Sequence, residues 1–452
     1  MMASAYAEVM KIYKVISILI LLAMLPACAY SSSVNEAAGA PNALVNGAAA
    51  FGFSGAAAVT ESPTQAIARP AATLAATPTP PEAVPAEVPQ HYRSLYAALQ
   101  DSIDSYNRQI SSQWNGSLYP VNFAAELIAA DTNGGNLILQ PNVKNVMLEE
   151  ISADKALGVQ AITVQIGFPI FDPYYFEYLG QSSTQAGQTV QTWIDYYSSV
   201  AQAIHSRGLK MNVEANPLLT FDTGSNSSLD ASGYYRSLDW ATYQQRRSAQ
   251  NVVIARQIRP DYLLLQTEPQ TDAVNDFHPQ LNDPLQDTAM IARFVGDLEN
   301  AGLPGLHTTL KIGSGVGSWQ RNWRAYINRL VAIKGLDELD THVYNLQPSL
   351  DEIGVAMQVA DLAHAAGKGA SISEFWLHKS TDLAGFSNNG DPLLDVRARD
   401  TFTFWSPLDV QFLTLMARLA NDKHFDSISA FGHFYWFSLL DYSSLPASCP
   451  PA

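Results

Sequence analysis

The sequence has little cysteine and little charge for its length. It contains two cysteines in 452 residues, and charged residues make up 15% of the chain. The two cysteines show no zinc-type Cys/His spacing, so a zinc module is excluded. The formal net charge of −16 argues against nucleic acid or another polyanion as a partner.

Apolar and aromatic residues are plentiful instead. Hydrophobic residues make up 47% of the chain, which contains 18 Phe, 20 Tyr and 8 Trp. A chain of this length forms one large domain or a few small ones, and this composition allows a sizeable core. Many aromatic rings with few charges favour a neutral ligand over a charged polymer.

The first 28 residues are typical of an export signal. Two lysines precede an apolar run over residues 15–25. This run is shorter than the roughly 20 residues that a membrane-spanning helix needs. The following Leu-Pro-Ala-Cys, which ends at Cys28, resembles the lipobox of bacterial lipoproteins. That resemblance implies cleavage before Cys28 and a lipid on its sulfur, and Cys449 then has no disulfide partner. The alternative is an ordinary signal peptide with a chance cysteine.

A linker separates this signal from the folded part. Residues 29–90 are mostly Ala, Ser, Thr, Gly and Pro, with few large apolar side chains. Such a segment cannot form a core, and its prolines keep it extended, so we predict a disordered tether. A single folded domain is predicted over residues 91–448. Its first element is an amphipathic helix over residues 92–110.

The domain alternates apolar strands with amphipathic helices. Strands are predicted near residues 122–128, 161–166, 210–213, 262–267, 310–313, 339–343, 371–373 and 427–436. Eight such units in one chain predict the α/β class and a (β/α)8 TIM barrel, with the first helix outside it. The longest connections follow strands rather than helices, so they share the barrel face that carries active sites.

The predicted strands end on polar residues. Glu268 follows the wholly apolar stretch Tyr262–Leu265, and Glu374 ends a second strand. Glycoside cleavage needs two carboxyl groups that face one anomeric carbon, one as proton donor and one as nucleophile. Two glutamates on different strand ends of one barrel meet this demand.

The order of these motifs resembles that of the clan A glycoside hydrolases, a barrel group that includes cellulases, mannanases and galactanases. The resemblance implies the roles of five residues: Glu268 as acid/base, Glu374 as nucleophile, His342 and Tyr344 as the pair that ends strand six, and Trp436 as the sugar platform. Further predicted substrate contacts are Glu214, Asn216, Thr267 and Trp376. Thr267 departs from the clan pattern, which has an asparagine there to hold the sugar 2-hydroxyl.

Two other functions fit the same strand ends. Oxygen-rich sites with one histidine suit Mg²⁺ or Mn²⁺, so Glu214, Glu268, His342 and Glu374 predict, as an alternative, a metal-dependent barrel of the sugar-isomerase kind. Because Thr267 replaces the asparagine of the clan, a second alternative is a lipoprotein that binds glycans without cleaving them.

Our main prediction is an exported, monomeric retaining glycosidase with a carbohydrate substrate and no cofactor or metal. It is secreted or held in the bacterial cell envelope, with membrane contact only through the lipid.

The lipobox prediction can be tested by fractionation. Cys28→Ser should move the protein from the membrane to the soluble fraction, because the sulfur is the point of lipid attachment. Cys449→Ser, the matched control, should stay with the membrane. A wild-type protein that is already soluble and starts beyond residue 28 would contradict the lipobox interpretation.

Overall fold

A computed structural model describes residues 84–90, 92–219, 229–344, 351–377, 379 and 404–431. Cys28, Trp436 and most of the predicted linker lie outside the described residues. Within them, none of the helices combines the length and the apolar character that a membrane span needs.

Eight parallel strands close into one barrel, each paired with its neighbours in chain order. They are β1 (Asn122–Glu126), β2 (Ala161–Gln165), β3 (Lys210–Glu214), β4 (Tyr262–Leu264), β5 (Lys311–Gly317), β6 (Glu338–His342), β7 (Gly369–Phe375) and β8 (Ser427–Ala430). The predicted (β/α)8 fold is thereby confirmed.

Helices surround the barrel and cover its outer face. They are α1 (Arg93–Gln113), α2 (Pro141–Leu157), α3 (Pro173–Tyr178), α4 (Ser183–His205), α5 (Ser232–Ser237), α6 (Trp240–Val253), α7 (Pro269–Asn275), α8 (Pro284–Asn300), α9 (Trp323–Leu330), α10 (Glu352–Ala365) and α11 (Ser406–Asp422). Short 3₁₀ segments cover Ile128–Ala130, Thr132–Leu139 and Pro279–Asn282, and a π turn, Ile254–Ile258, extends α6.

The additional helix before the barrel is confirmed. Helix α1 packs against α11 and the residues that lead into it, where the rings of Tyr96 and Trp405 stack 5.6 Å apart. The Arg93 guanidinium donates hydrogen bonds to the carbonyls of Val84 and Pro85. Those contacts fix the turn that precedes α1.

Helix α4 begins earlier than its apolar stripe predicts. The stripe starts at Val190, but the helix starts at Ser183. Ser182 and Gln185 form a capping box there, in which each side chain bonds to the backbone of the other. Such a cap satisfies the free N–H groups of the first turn, so polar residues can begin the helix.

The chain around Glu268 also differs from the prediction. Strand β4 ends at Leu264 rather than Thr267, although Leu265 N still donates to Gly313 O at 2.9 Å. Pro269 is the first residue of α7, where a missing N–H costs nothing, rather than only the end of a strand. Glu268 therefore lies at a junction between a strand and a helix.

The packing of β5 against β6 leaves no space for a side chain at Gly315. A Cβ at Gly315 would lie 2.1 Å from the carbonyl oxygen of Asp340. Gly315→Ala should therefore lower the free energy of unfolding by about 1–3 kcal/mol, the usual cost of overpacking. Gly296→Ala in α8, where nothing lies within 4 Å of the new Cβ, should be neutral or stabilise by up to about 1 kcal/mol. Equal effects in urea titrations would contradict this account.

Candidate active site

The candidate site lies at the carboxyl ends of the strands. Glu126, Gln165, Glu214 and His342 are the last residues of β1, β2, β3 and β6. Glu374 is the next-to-last residue of β7. Because all strands are parallel, these ends meet on one face of the barrel, the face that carries active sites in this fold.

The two predicted catalytic glutamates face each other across one tyrosine and one histidine. The Tyr344 hydroxyl donates to Glu374 Oε2 and lies 3.2 Å from Glu268 Oε1. His342 Nδ1 lies 2.7 Å from Glu268 Oε1 and 3.5 Å from Glu374 Oε2. The Glu268 side chain is 16% exposed and that of Glu374 is 4% exposed. The structure thus brings all four residues together.

Backbone bonds between β6 and β7 hold this arrangement in place. Val343 N donates to Glu374 O at 3.0 Å, and Trp376 N donates to Val343 O at 2.9 Å. Side chains alternate along a strand, so pairing Val343 with this stretch directs His342, Tyr344 and Glu374 toward the same space.

His342 is held as a cation by the groups around it. Burial lowers the pKa of the ring, but the hydrogen bond to Glu268 and the charges of Glu214 and Asp340 raise it to about 9. The other ring nitrogen, Nε2, lies 2.9 Å from Ser373 Oγ, which donates to Asp340 Oδ2 at 2.8 Å. At neutral pH both ring N–H groups are therefore donors.

Glu374 lies among other carboxyl groups. Burial raises the pKa of Glu214 to about 7. Burial, followed by the charges of Glu214, Glu126 and Glu268, raises the pKa of Glu374 well above its usual value. A hydrogen bond from Tyr344 favours the anion of Glu374, but burial and the neighbouring charges outweigh it.

Thr267 is buried, and its hydroxyl is used within the protein. Its Oγ1 lies 2.8 Å from Asn216 Nδ2, and its backbone N donates to Asn216 Oδ1 at 3.2 Å. Asn216 Nδ2 also donates to Glu214 Oε2 at 3.2 Å. Asn216, which is partly exposed and follows β3, thus brings an amide to the position beside Glu268.

Aromatic rings surround Tyr344. Trp319 stacks on its ring at 4.8 Å, and Trp376, which is 8% exposed, meets it edge-on at 6.4 Å. Trp319 was not predicted from the sequence. A Cβ at Gly317 would lie 2.6 Å from the Trp319 ring, so the glycine allows the indole to fold back over β5. The predicted platform, Trp436, lies outside the described residues.

Two strand-end residues were also missed. Gln165 Nε2 donates to Glu374 Oε1 at 2.6 Å, and the charge of the buried Glu126 acts on the same carboxyl group. Both are the last residues of short strands, close to the position of Glu374 in β7, and that position was the available signal.

Three side chains have the spacing of a metal site. One ligand atom each of Glu214, His342 and Glu374 lies within 4.8 Å of the others. Glu268 is not part of this group. Both nitrogens of His342 already have hydrogen-bond partners and the ring is protonated, so a metal ion would have to displace a proton. Metal binding at this group would therefore depend on pH.

Comparisons with known proteins give structural likeness only. No protein-family model matches the chain. No curated protein matches it either. Similar solved structures include virulence factor SghA from Agrobacterium tumefaciens, with 11% identity, a TM-score of 0.42, and coverage of 72% of this chain and 89% of that one. A beta-glucosidase from Thermotoga maritima has 12% identity, a TM-score of 0.39, and coverage of 63% and 76%. A beta-mannanase from Streptomyces thermolilacinus has 14% identity, a TM-score of 0.37, and coverage of 68% and 78%. TM-scores this low carry no argument about the fold, which rests on the strand pairing described above.

The pKa of His342 predicts a pH dependence of stability. A base whose pKa rises from about 6.5 on folding binds its proton more tightly in the folded state. Its stabilising contribution is complete below about pH 6.5 and is lost as the pH rises through about 9. Thermal unfolding between pH 5 and 10 should thus show a decline in that window, which His342→Gln should lack. Parallel curves for the two proteins would contradict this assignment.

Proposed function

We propose that this protein is a retaining glycosidase in which Glu374 is the nucleophile and Glu268 the acid/base. The observation that carries the proposal is that Tyr344 and His342 each contact both carboxyl groups. Groups that share two such partners face a common space, as a mechanism with two carboxyls on one anomeric carbon requires.

The separation of the two carboxyl groups favours retention. Their nearest oxygens lie 2.7 and 3.5 Å from the same nitrogen of His342, so they are no farther apart than the sum of those distances. A close pair of this kind fits a retaining enzyme, whose carboxyl groups lie roughly 5–5.5 Å apart, better than an inverting one, whose roughly 6.5–9.5 Å leaves room for water.

Tyr344 links the protonation states of the two glutamates. The raised pKa of Glu374 favours a proton on this carboxyl group. Cleavage requires its transfer to Glu268, and Tyr344, which contacts both carboxyl groups, lies between them. This transfer leaves Glu374 as a carboxylate and Glu268 as an acid, the forms that glycoside cleavage requires.

The reaction then proceeds in two displacements. A Glu374 oxygen bonds to the anomeric carbon, the bond from that carbon to the leaving oxygen breaks, and Glu268 gives its proton to the leaving oxygen. Water next attacks the same carbon, Glu268 takes a proton from the water, and Glu374 leaves as a carboxylate. Each displacement inverts the carbon, so the product keeps the original configuration.

The substrate is a poly- or oligosaccharide. Asn216 supplies an amide beside Glu268, where the clan A resemblance implies an asparagine that holds a sugar hydroxyl. Tyr344, Trp319 and Trp376 supply aromatic surface around the carboxyl pair. We further propose that the domain works outside the cytoplasm on a lipid attached to Cys28, as the signal sequence indicates.

A metal-dependent sugar isomerase is the second candidate, favoured by the spacing of Glu214, His342 and Glu374. The two candidates respond differently to chelation. A glycosidase of the proposed kind should keep its full rate after dialysis against EDTA. A rate that disappears with EDTA and returns with Mg²⁺ or Mn²⁺ would favour the isomerase.

Azide rescue distinguishes the roles of the two glutamates. Purified protein should first be screened on aryl glycosides and polysaccharides to find a substrate. Glu268→Ala should still cleave substrates with good leaving groups, and azide should restore its rate with a glycosyl azide of retained configuration. Glu374→Ala should be inactive on every substrate, and any azide product should be inverted.

This test needs a matched control variant, and some results would contradict the proposal. Glu149→Ala, on the exposed face of α2, should keep the wild-type rate. Exchanged phenotypes for the two glutamate variants would reverse the assignment. Wild-type rates in both variants, or binding of glycans without turnover, would refute the glycosidase proposal.

A further inference from the structure

Gln165 makes a direct contact with the proposed nucleophile. Its Nε2 lies 2.6 Å from Glu374 Oε1, the oxygen that Tyr344 does not contact. We propose that Asn133 and Gln165 form a relay that turns the donor end of the Gln165 amide toward Glu374 and so positions the nucleophile. This inference rests on the glycosidase function proposed above.

A glutamine needs a second group to fix its orientation. The oxygen and the nitrogen of an amide have almost the same size, and only the nitrogen donates hydrogen bonds. Rotation by half a turn would present Gln165 Oε1 to Glu374, where two acceptors would repel each other. The hydrogen-bond partners on the far side of Gln165 therefore decide which end faces Glu374.

The orientation can be traced to a backbone group. Leu219 N lies 2.9 Å from Asn133 Oδ1, and a backbone N–H can only donate. Asn133 therefore presents its oxygen to Leu219 and its nitrogen to the opposite side. There Asn133 Nδ2 lies 3.0 Å from Asp131 Oδ1 and 3.4 Å from Gln165 Oε1. The oxygen of Gln165 is thus the acceptor from Asn133, and its nitrogen is left for Glu374.

The loop that carries Asn133 is fixed to the end of β2. Thr132 Oγ1 donates to Gln165 O at 3.0 Å and accepts from Gly167 N at 2.7 Å. A Cβ at Gly167 would lie 3.1 Å from Thr132 Oγ1, so the glycine permits this close approach. Asp131 caps the same loop by accepting from Asn133 N at 2.8 Å. These hydrogen bonds therefore hold the segment that carries Asn133 against the end of β2.

The surroundings of Glu374 explain the need for a neutral donor. The titratable groups that act on it or contact it are Glu126 from β1, Glu214 from β3, Glu268 after β4, His342 from β6 and Tyr344 after β6. Among these described groups, three are acids that oppose its anion, and one is a cation. An amide N–H adds a charge-assisted hydrogen bond to the anion, roughly twice as strong as a neutral one.

Two isosteric substitutions test the relay. Gln165→Glu replaces the donor with an acceptor, and Asn133→Asp keeps the shape but removes the Nδ2 donor that orients Gln165. We expect Gln165→Glu to lower kcat/KM by at least about tenfold, equivalent to about 1.4 kcal/mol. The acidic limb of kcat/KM against pH should also move to higher pH in both variants, since that limb reports the ionisation of the free nucleophile.

The controls repeat the same chemical changes elsewhere. Gln188→Glu on α4 and Asn142→Asp on α2 are exposed and should keep the wild-type profile. An unmoved acidic limb in both relay variants would refute the proposal. A limb that moves only in Gln165→Glu would refute the part assigned to Asn133.

A measurement without substrate separates this inference from the proposed function. The side-chain amide of Gln165, assigned by ¹⁵N-glutamine labelling and its loss in Gln165→Glu, should shift in Asn133→Asp and in Glu374→Gln. An amide signal that neither substitution shifts would refute the relay even for a catalytically active protein. If the amide shifts as expected but the wild-type protein cleaves no glycoside, the contact stands and the glycosidase proposal fails.

Discussion

The crowding of carboxyl groups at one end of the barrel is the constraint on which the site depends. Glu126, Glu214 and Glu374 are buried where strand ends converge, and Asp340 is buried in the middle of β6. Like charges in a poorly solvated space raise one another's pKa and oppose ionisation. A protonated His342 and neutral donors such as Gln165 and Tyr344 surround the cluster and offset this repulsion.

This constraint extends into the barrel interior. Such barrels are usually filled by branched apolar side chains. Here Asp340 Oδ1 accepts from Ser371 Oγ at 2.8 Å, and Asn212 Nδ2 donates to Ser427 Oγ at 3.2 Å. Large apolar side chains such as Trp193 and Leu264 are also buried. The polar residues of the interior thus add hydrogen bonds to the apolar packing that supports the site.

Local patterns in the sequence predicted the fold and part of the site. Apolar runs that alternate with amphipathic helices were enough to place the strands, and their order placed Glu268 and Glu374 on one face. Element ends were less accurate where caps or tertiary contacts decide them, as at Ser183 and Leu264. The roles of Gln165 could not be read from sequence, because they depend on contacts with residues 32 and 209 positions away in the chain.

Covalent trapping tests the central claim most directly. A 2-deoxy-2-fluoro glycoside with a good leaving group slows the second displacement, so the glycosyl-enzyme accumulates and can be located by mass spectrometry of its peptides. The account predicts one added sugar on Glu374, no label in Glu374→Gln, and normal labelling in Glu149→Gln. A label on Glu268 or Glu214, or turnover of the parent glycoside with inversion and without any labelled peptide, would contradict it.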